Sequence, residues 1–574
     1  MTGRLVRQFC RVVLLAILLI GDPRDARAQV PAPPLVTISA NVKQIDLSWP
    51  NVPNAEYYIV RERAEAGAPF TAISSRIPQR VATVLKFSHD IAVHRQDWLN
   101  ASYVVDACNS GKFPICSRSI EQGIATLELG AIGDLKARNA DSADLFGYAV
   151  ASSADGTTLA IGAPYEDCSC AGINSTLLDN AATDTGAVYV FVKSPSGWKQ
   201  QAYIKAVTVA PYDFFGMTVA LSGDGNMLAI GAPAKTLSAG EVHMFARAGA
   251  VWKQTTVLSP FNGDLADYFG AALALDADGL TLAVGASGED SSGTGTTASG
   301  LDDDEGGSGA VYMFSRASTG QSWSRTAFIK GSHSDAGDLF GVAVALDARG
   351  KTLVVGAERA DSAGAVDVYD RNVAGAWSHA SYVRPSVFDV DDSFGSSVAL
   401  SGDGLRLAVG AVGEDGAVTG VNGNASDNTA AESGAAYLFT RSGKQWNQDA
   451  YVKASEVDSG DYFGGALALD ELGNTLAVSA RFEDGSAAGV SGFPDEALSN
   501  AGAAFLFERS LADGQWAQAR YIKAPNPGTD DRFGGTFLRG AIALSGDGGT
   551  LAVPAADEDG SNDTTPDSGA VYLY

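Results

Sequence analysis

The feature of this sequence that most restricts its fold is a phrase beginning with Phe-Gly that recurs seven times. One copy reads FGSSVALSGDGLRLAVGA. Each copy is followed by a loop of variable length, by a phrase such as GAVYVF, and by a phrase such as WKQQAYIKA. Intervals of 69, 54, 71, 54, 69 and 70 residues separate the copies, which begin at Phe146, Phe215, Phe269, Phe340, Phe394, Phe463 and Phe533. A chain that repeats at this period folds into similar units that pack on their neighbours.

Each repeat predicts four antiparallel strands. VALSGDGLRLAVGA indicates two alternating strands around Asp-Gly, a hairpin signal in which both turn residues adopt positive φ. AAYLF and AYVKA then supply a third and a fourth strand. The first strand is rich in Ala, Gly and Ser, as expected where inner strands converge near an axis. The repeats therefore predict a closed, seven-bladed β-propeller over residues 129–574 rather than a sandwich.

The ends of the repeat array predict how the ring closes. The chain reaches Tyr574 on the third strand of the seventh repeat. A spare fourth-strand phrase, Asp134-Leu135-Lys136-Ala137, precedes the first repeat. We therefore expect the strand near residues 133–137 to complete the last blade, which covers the otherwise unpaired edge of its third strand.

Residues 29–128 differ in character from the repeats. The run PPLVTISANVKQIDLSW alternates apolar and polar residues as half-buried strands do. Trp49 closes the second predicted strand, Tyr58 lies in the third and Tyr103 in a late one, so this region resembles a fibronectin type III domain. An immunoglobulin-like sandwich of another topology is the alternative. The predicted fold is all-β, a fibronectin type III-like sandwich followed by a seven-bladed β-propeller.

The N-terminus predicts export. Residues 1–28 have the pattern of a signal peptide: early arginines, an apolar run over 12–20, and a small-x-small cleavage pattern at 26–28. The apolar run is too short to cross a bilayer, so we expect no membrane insertion. The mature protein is expected to be secreted, periplasmic or at the cell surface.

Export permits disulfide bonds. Cys108 and Cys116 are predicted to bridge two neighbouring strand ends. Cys168 and Cys170 are separated by a single residue, and whether they are bonded stays open. They make a poor zinc site, because no further Cys or His lies near them in the sequence.

The Phe-Gly opening and the Gly-Ala after the second strand resemble FG-GAP repeats, as in the propeller of integrin α-subunits and in many exported bacterial proteins. The resemblance covers residues 130–574 and implies a seven-bladed propeller used in recognition and adhesion, often with calcium. The chain departs from the integrin pattern in its first hairpin, where the calcium loop is shortened to forms such as residues 401–406 with a single Asp. Calcium takes about six to eight oxygens, so we expect this hairpin to be an ordinary turn.

Two further sets of acidic residues recur. An Asp stands two residues before each Phe-Gly, and Glu-Asp follows Gly-Ala in five repeats. In a four-stranded meander both positions lie on the same face as the long loops. Two interpretations stay open: the acids cap their own turns, or they hold calcium. The candidate calcium ligands are Asp267, Glu289, Asp290, Asp392, Glu414, Asp415, Asp461, Glu483 and Asp484.

The net charge of −27 at pH 7 argues against nucleic acid or an anionic membrane as the partner. The sequence carries no nucleophile elbow, zinc-binding helix or phosphate loop, so we predict a non-catalytic extracytoplasmic binding or adhesion module whose partner is an extracellular protein or glycan. The alternatives are a propeller enzyme acting on polysaccharide through a carboxylate pair and a purely structural surface protein. Long acidic loops between the second and third strands are the predicted recognition surface. Replacing Gly416–Ser433 with a short link is expected to keep the fold and weaken binding.

Overall fold

The computed structural model describes residues 30–79, 83–95, 98–110, 113–175, 179–195, 197–490, 492, 494–559 and 565–574. These residues form an all-β protein, as predicted. Their helical segments are short: α1 (Glu128–Ala131), α2 (Lys235–Ser238), and 3-10 turns at Ala125–Leu127, Gly295–Thr297 and Ala360–Ser362. No helix in the described ranges is long and apolar enough to span a membrane. The predicted signal peptide, residues 1–28, lies outside the described residues.

The chain divides into two compact units. The smaller unit contains the described residues up to Ile38 together with Leu47–Phe87 and Ser102–Gly123. The larger unit contains Ser39–Asp46, Ser88–Ala101 and Ile124–Tyr574. The sequence prediction placed one boundary near residue 128, whereas two short segments before it belong with the repeats. One reason is Lys43, whose buried ammonium donates to the Tyr574 carbonyl at 2.5 Å.

The strands of the N-terminal region are β1 (Thr37–Asn41), β2 (Gln44–Pro50), β3 (Tyr57–Arg63), β4 (Thr71–Ala72), β5 (Ile77–Pro78), β6 (Val84–Asp90), β7 (Ser102–Cys108), β8 (Cys116–Arg118) and β9 (Gln122–Gly123). They form a β1-β2-β6 sheet and a six-stranded sheet centred on β3 and β7. Strand β2 buries Ile45, Leu47 and Trp49 and leaves the residues between them half-buried, which is the predicted period of two. The rings of Trp49 and Tyr58 lie 5.6 Å apart in this core.

The described residues of the larger unit form seven four-stranded sheets, called ring sheets 1 to 7 after the repeats that supply them. Ring sheet 1 is β11 (Ala149–Ser152), β12 (Thr158–Ala163), β13 (Ala187–Ser194) and β14 (Gly197–Ile204); ring sheet 2 is β15 (Thr218–Leu221), β16 (Met227–Ala232), β17 (Glu241–Ala248) and β18 (Val251–Leu258); ring sheet 3 is β19 (Ala272–Leu275), β20 (Thr281–Ala286), β21 (Ala310–Ser315) and β22 (Ser324–Ile329). Ring sheet 4 is β23 (Ala343–Leu346), β24 (Thr352–Ala357), β25 (Ala365–Arg371) and β26 (Trp377–Val383); ring sheet 5 is β27 (Phe394–Leu400), β28 (Arg406–Ala411), β29 (Ala435–Ser442) and β30 (Gln445–Val452); ring sheet 6 is β31 (Leu467–Leu469), β32 (Thr475–Ala480), β33 (Ala503–Arg509) and β34 (Trp516–Ile522).

Ring sheet 7 combines both ends of the larger unit. Its strands β35 (Ala543–Leu544), β36 (Leu551–Ala555) and β37 (Ala570–Leu573) come from the last repeat, and its outer strand is β10 (Gly133–Leu135). Strands β10 and β37 are antiparallel, with Gly133 opposite Leu573 and Leu135 opposite Val571. Strand β10, which precedes the first repeat, therefore pairs with β37, the last strand of the chain.

The first strands of the seven sheets contact one another in cyclic order, and β35 contacts β11 again. The hydrophobic core lies between neighbouring sheets. Val188 and Val190 of ring sheet 1 pack with Leu228 and Ile230 of ring sheet 2, for example. The second strands are buried on both faces, which explains why they read as near-continuous apolar runs. This cyclic stacking of meander sheets is propeller-like.

The turn between the first two strands differs from the prediction. Only the glycine of each Asp-Gly has positive φ, for example +72° at Gly404, and the preceding Asp does not. Gly404 donates its N–H to Ser401, and Ser401 donates to Arg406, which closes a loop longer than a two-residue turn. The prediction of two positive φ values was wrong, because the extra loop residues let a single left-handed glycine reverse the chain.

Candidate functional site: the loop face

The loop face is defined as the end of the ring sheets where the second strands finish and the first strands begin. The Phe-Gly phrase holds neighbouring sheets together there. The N–H of Phe215 donates to the carbonyl of Thr185 at 3.2 Å, which anchors the start of ring sheet 2 to ring sheet 1. Gly186 lies so close that a Cβ on it would be 2.1 Å from the Phe215 carbonyl oxygen, and its φ is +77°. The repeated Phe and Gly residues are therefore packing elements.

The aspartates two residues before Phe-Gly cap the chain that leads into the first strand. Each carboxylate accepts the backbone N–H of the residue three positions earlier: Asp264 donates to Asp267 at 2.8 Å, Asp389 to Asp392 at 2.7 Å, and Asp458 to Asp461 at 3.0 Å. All three accepting side chains are buried. Burial raises the pKa of Asp267 and Asp392 to about 6 and that of Asp461 to about 7.

The glutamates after the second strand are paired with buried lysines. Glu289 contacts Lys330 at 2.7 Å, Glu414 contacts Lys453 at 2.7 Å, and Glu483 contacts Lys523 at 2.8 Å, with both partners of every pair almost fully buried. Tyrosine hydroxyls add to two of these pairs, since Tyr451 donates to Glu414 and Tyr521 to Glu483. The same pair forms in ring sheets 1 and 7, as Glu166–Lys205 and Glu558–Lys136. Each negative charge is thus neutralised inside the protein.

The aspartates that follow these glutamates hold the returning end of each loop. Asp290 accepts the N–H of Gly307 at 2.7 Å, Asp415 that of Glu432 at 2.8 Å, and Asp484 that of Asn500 at 2.6 Å. All nine candidate calcium ligands therefore have hydrogen-bond or ionic partners from the protein. In the described part of the chain, no group of three or more His, Cys, Asp or Glu side chains could hold a metal ion. Calcium binding stays a prediction.

The capping aspartates make the stability of the protein depend on pH. The pKa of Asp461 is about 7 in the folded protein against an ordinary value of 3.8. The folded state keeps a proton that the unfolded state has released, so this group lowers stability as pH rises from about 4 to 7. The Asp461→Asn variant lacks this loss. We compare the free energy of unfolding of the variant with that of the wild type at pH 4.5 and at pH 7.5, by chemical denaturation. This difference should shift in favour of the variant by on the order of 2 kcal/mol from the lower to the higher pH.

A matched control lies at the same position of ring sheet 2. Asp213 is paired there with Lys235 at 2.5 Å. Asp213→Asn leaves that buried lysine without its anion, so this variant should lose stability at both pH values. Equal pH profiles for Asp461→Asn and the wild type would contradict the assignment.

The long loops after the second strands fold back against the outer strands. Val421 forms an antiparallel bridge with Val452. Asn422 donates its N–H to Tyr451 at 2.7 Å and accepts the Tyr451 N–H at 3.0 Å. Equivalent bridges join Ile173 to Ile204 and Gly489 to Lys523. The tips of these loops, such as residues 426–429, are mostly exposed.

Both cysteine pairs are disulfides. Cys108 and Cys116 are joined at 1.97 Å and lie opposite each other on β7 and β8. Cys168 and Cys170 are joined at 2.19 Å within the first long loop. Both are buried, and the Sγ of Cys170 lies 3.4 Å from the hydroxyl of Tyr203. The second bond therefore fixes the start of this loop beside Glu166, which the same hydroxyl contacts at 2.6 Å.

The lysines of the fourth strands were missed as members of this face, although the repeats contain a signal for them. Repeats 1, 3, 5, 6 and 7 carry both the Glu and the Lys. In repeat 2 the Lys position holds Ser259 and Lys235 stands in place of the Glu, while repeat 4 has Arg384 and Ala360. Residues that change together between repeats indicate contact.

Residues 198–245 match the FG-GAP repeat family. No curated protein matches the sequence. Among solved structures, the WD40 repeats of RRP9 are 13% identical, with 77% of this chain and 96% of that chain covered at a TM-score of 0.40.

Two further solved structures show similar values. A protein from Bacteroides fragilis, proposed to be a 6-phosphogluconolactonase, is 10% identical over 82% of this chain and 96% of its own, at a TM-score of 0.40. An oligogalacturonate lyase from Vibrio parahaemolyticus is 9% identical over 77% of this chain and 96% of its own, at a TM-score of 0.39. At these scores nothing follows about the activity of this chain.

Proposed function

We propose that this chain is an exported binding or adhesion module, built as a seven-bladed FG-GAP β-propeller with a fibronectin type III-like domain before it. The observation that carries the proposal is the contrast on the loop face between fixed loop bases and variable loop tips. Buried ion pairs and capping aspartates fix the bases in nearly every ring sheet. Beyond these bases, the loops vary in length and sequence. Variable loops on a rigid scaffold are where binding residues are most often found.

Exposed acidic side chains make the loop face negatively charged. Asp303 and Asp304 are exposed on a loop tip, Glu432 is exposed at the returning end of another loop, and Asp264 and Asp458 are exposed on the neighbouring connections. Opposite charge favours a partner that is cationic or bridged by calcium. The partner class we propose is an extracellular protein or glycan.

The structure shows which part of the loop can be exchanged without removing buried contacts. Gly416 and Ser433 belong to the buried base, since Ser433 donates to the Gly416 carbonyl at 2.9 Å and accepts from Lys453. Exchanging all of Gly416–Ser433 would remove that base. We therefore exchange only the tips 426–429 and 303–305 for Gly-Ser sequence of equal length. This tip variant should keep its melting temperature within about 2 °C and lose at least about tenfold in affinity for a partner found on protein and glycan arrays.

The matched control changes the opposite face. Leu405 and Leu472 are exposed in turns between first and second strands, and both are replaced by Ser. This variant should bind like the wild type, with and without calcium. Binding that survives the tip exchange and disappears in the control would refute the loop-face assignment.

The alternative of a polysaccharide-degrading enzyme that uses these Glu-Asp pairs gains no support. Glu166, Glu289, Glu414 and Glu483 are each 1–3% exposed and are held by lysine. A polymer cannot reach a carboxylate that is buried and already paired.

A further inference from the structure

A cavity of about 530 Å³ lies where the first strands of the ring sheets converge. Its wall is mainly small and apolar, with Val150, Leu273 and Val398 among its residues. It is also lined by residues that directly follow second strands, which places its opening on the loop face. The charged side chains in its lining are Arg481, Arg539 and Glu358.

Arg481 departs from its counterparts in the other repeats. The residue directly after the second strand is Pro164, Pro233, Ser287, Glu358, Val412, Arg481 and Ala556 in repeats 1 to 7. Repeat 6 alone places a cation at this position. The seven repeats share no residue type here, so this position has no common structural role that would require the arginine.

Neighbouring residues hold the Arg481 side chain in place. Its guanidinium carbon lies 4.7 Å from the ring centroid of Tyr462 and 5.0 Å from that of Phe482, which favours a fixed position. Gly465 provides the space, because a Cβ there would be 2.8 Å from Nη1 of Arg481. The matching position after Phe-Gly is Tyr148 in repeat 1, Val342 in repeat 4 and Gly535 in repeat 7. A larger side chain at Gly465 would displace the guanidinium, so the observed position of Arg481 requires this glycine.

Among the described residues, the guanidinium of Arg481 has no anionic partner. The side chain is 8% exposed, and its Nε is shielded from solvent without a hydrogen-bond partner in the described residues. No carboxylate of the described chain forms an ion pair with it, in contrast to the buried lysines of the loop face. Burial lowers its pKa to about 10, so it stays protonated at neutral pH. A buried charge without a counter-ion is costly, and an anion entering the cavity would relieve that cost.

We propose that the axial cavity binds a small organic acid through its carboxylate. The planar fork of an arginine matches a carboxylate in geometry and charge. Arg539 supplies a second, exposed cation in the lining. The apolar residues of the wall, such as Val150, Leu273 and Val398, would contact the rest of the ligand.

Aryl or alkyl acids and sugar acids share this chemistry. Burial raises the pKa of Glu358, which reduces its repulsion of a bound anion. The net charge of −27 repels anions at a distance, so the affinity should be modest. The site differs from the loop tips, and its loss would leave recognition by the tips unchanged.

The test uses calorimetric titration of the full mature chain with two acids, phenylacetate and galacturonate, each beside its neutral analogue, phenylacetamide and galactose. At least one acid should bind saturably with a Kd of about 0.1–5 mM, and its neutral analogue should bind at least about tenfold more weakly. The acid that binds identifies the source of the carboxylate. Arg481→Met should weaken its binding at least about tenfold, while Arg359→Met, which removes an exposed arginine of the same face, should not change it.

Arg539→Met serves as the second variant, because its exposed side chain can be removed without disturbing the fold. It should weaken binding about threefold or more. Absence of saturable binding by both acids at about 20 mM overturns the proposal. Equal binding of an acid and its neutral analogue also overturns the proposal. Unchanged affinity in a folded Arg481→Met variant has the same consequence. If Arg481→Met does not fold, unchanged affinity in Arg539→Met overturns the proposal instead.

Discussion

Replacing Lys453 with methionine is expected to destabilise the protein by roughly 3–5 kcal/mol, because it leaves Glu414 buried without its cation. Lys453 is 1% exposed and donates to Glu414 and to Ser433, each at 2.7 Å. Glu414 is itself 3% exposed, so water cannot replace the lost ammonium. The measurement is the free energy of unfolding from denaturant titration.

The double variant Glu414→Gln, Lys453→Met separates the charge from the packing. It removes both charges and keeps an acceptor for the Tyr451 hydroxyl, which contacts Glu414 at 2.7 Å. We expect it to recover most of the loss, since a neutral pair is often tolerated where a single buried charge is not. Lys444→Met, at an exposed position between the last two strands of the same sheet, should change stability by less than about 0.5 kcal/mol. A loss below about 1 kcal/mol in Lys453→Met, or an equal loss in the double variant, would show that the ion pair does not hold the loop base.

The strands of the ring sheets could be predicted from the sequence because their signals are local. Each Phe-Gly phrase carries a glycine-containing turn between two apolar runs, and the structure places a hairpin there in every repeat. The pairing of Cys108 with Cys116 was readable for the same reason, since both residues stand at the ends of adjacent strands. The turn conformation was missed because a φ value depends on loop length, and the Asp-Gly signal does not report that length.

The roles of the acids were harder to predict because they depend on partners far away in the sequence. Glu414 and Lys453 are separated by 39 positions and by a loop of variable length. Reading each acid with its immediate neighbours leaves both capping and calcium binding open. The axial position of Arg481 was also hidden, since only the closed ring shows that residues after second strands line one cavity. Comparing equivalent positions in the seven repeats would have indicated both the Glu–Lys pairs and the unusual Arg481.

Removing the strand before the first repeat is expected to have the second large effect. Strand β10 completes ring sheet 7 by pairing with β37, and Lys136 beside it pairs with Glu558 at 2.6 Å. Leu135 packs with Val571, Leu573 and Phe146 in the core that joins the last ring sheet to the first. Deleting residues 129–137 therefore exposes the edge of β37, opens that core and leaves Glu558 without its lysine. We expect a loss of stability on the order of 5 kcal/mol together with aggregation through the open edge.

Two variants show that the effect comes from strand pairing. The first replaces residues 129–137 with Gly-Ser sequence of equal length, which keeps the connection and removes the side chains. It should behave like the deletion. The second, Leu135→Asp, places a charge at a position that is 6% exposed and should cost at least about 3 kcal/mol.

The decisive experiment adds the missing strand to the deleted protein as a separate peptide. A peptide with the sequence of residues 129–140 adds the missing edge strand and binds only the folded state, so it should raise the melting temperature of the deleted protein in proportion to its concentration. The same peptide carrying Leu135→Asp should not, because it cannot fill the core beside Val571. The intact protein should respond to neither peptide, since its β37 is already paired. If the deletion leaves the melting temperature unchanged, β10 is not what closes the ring.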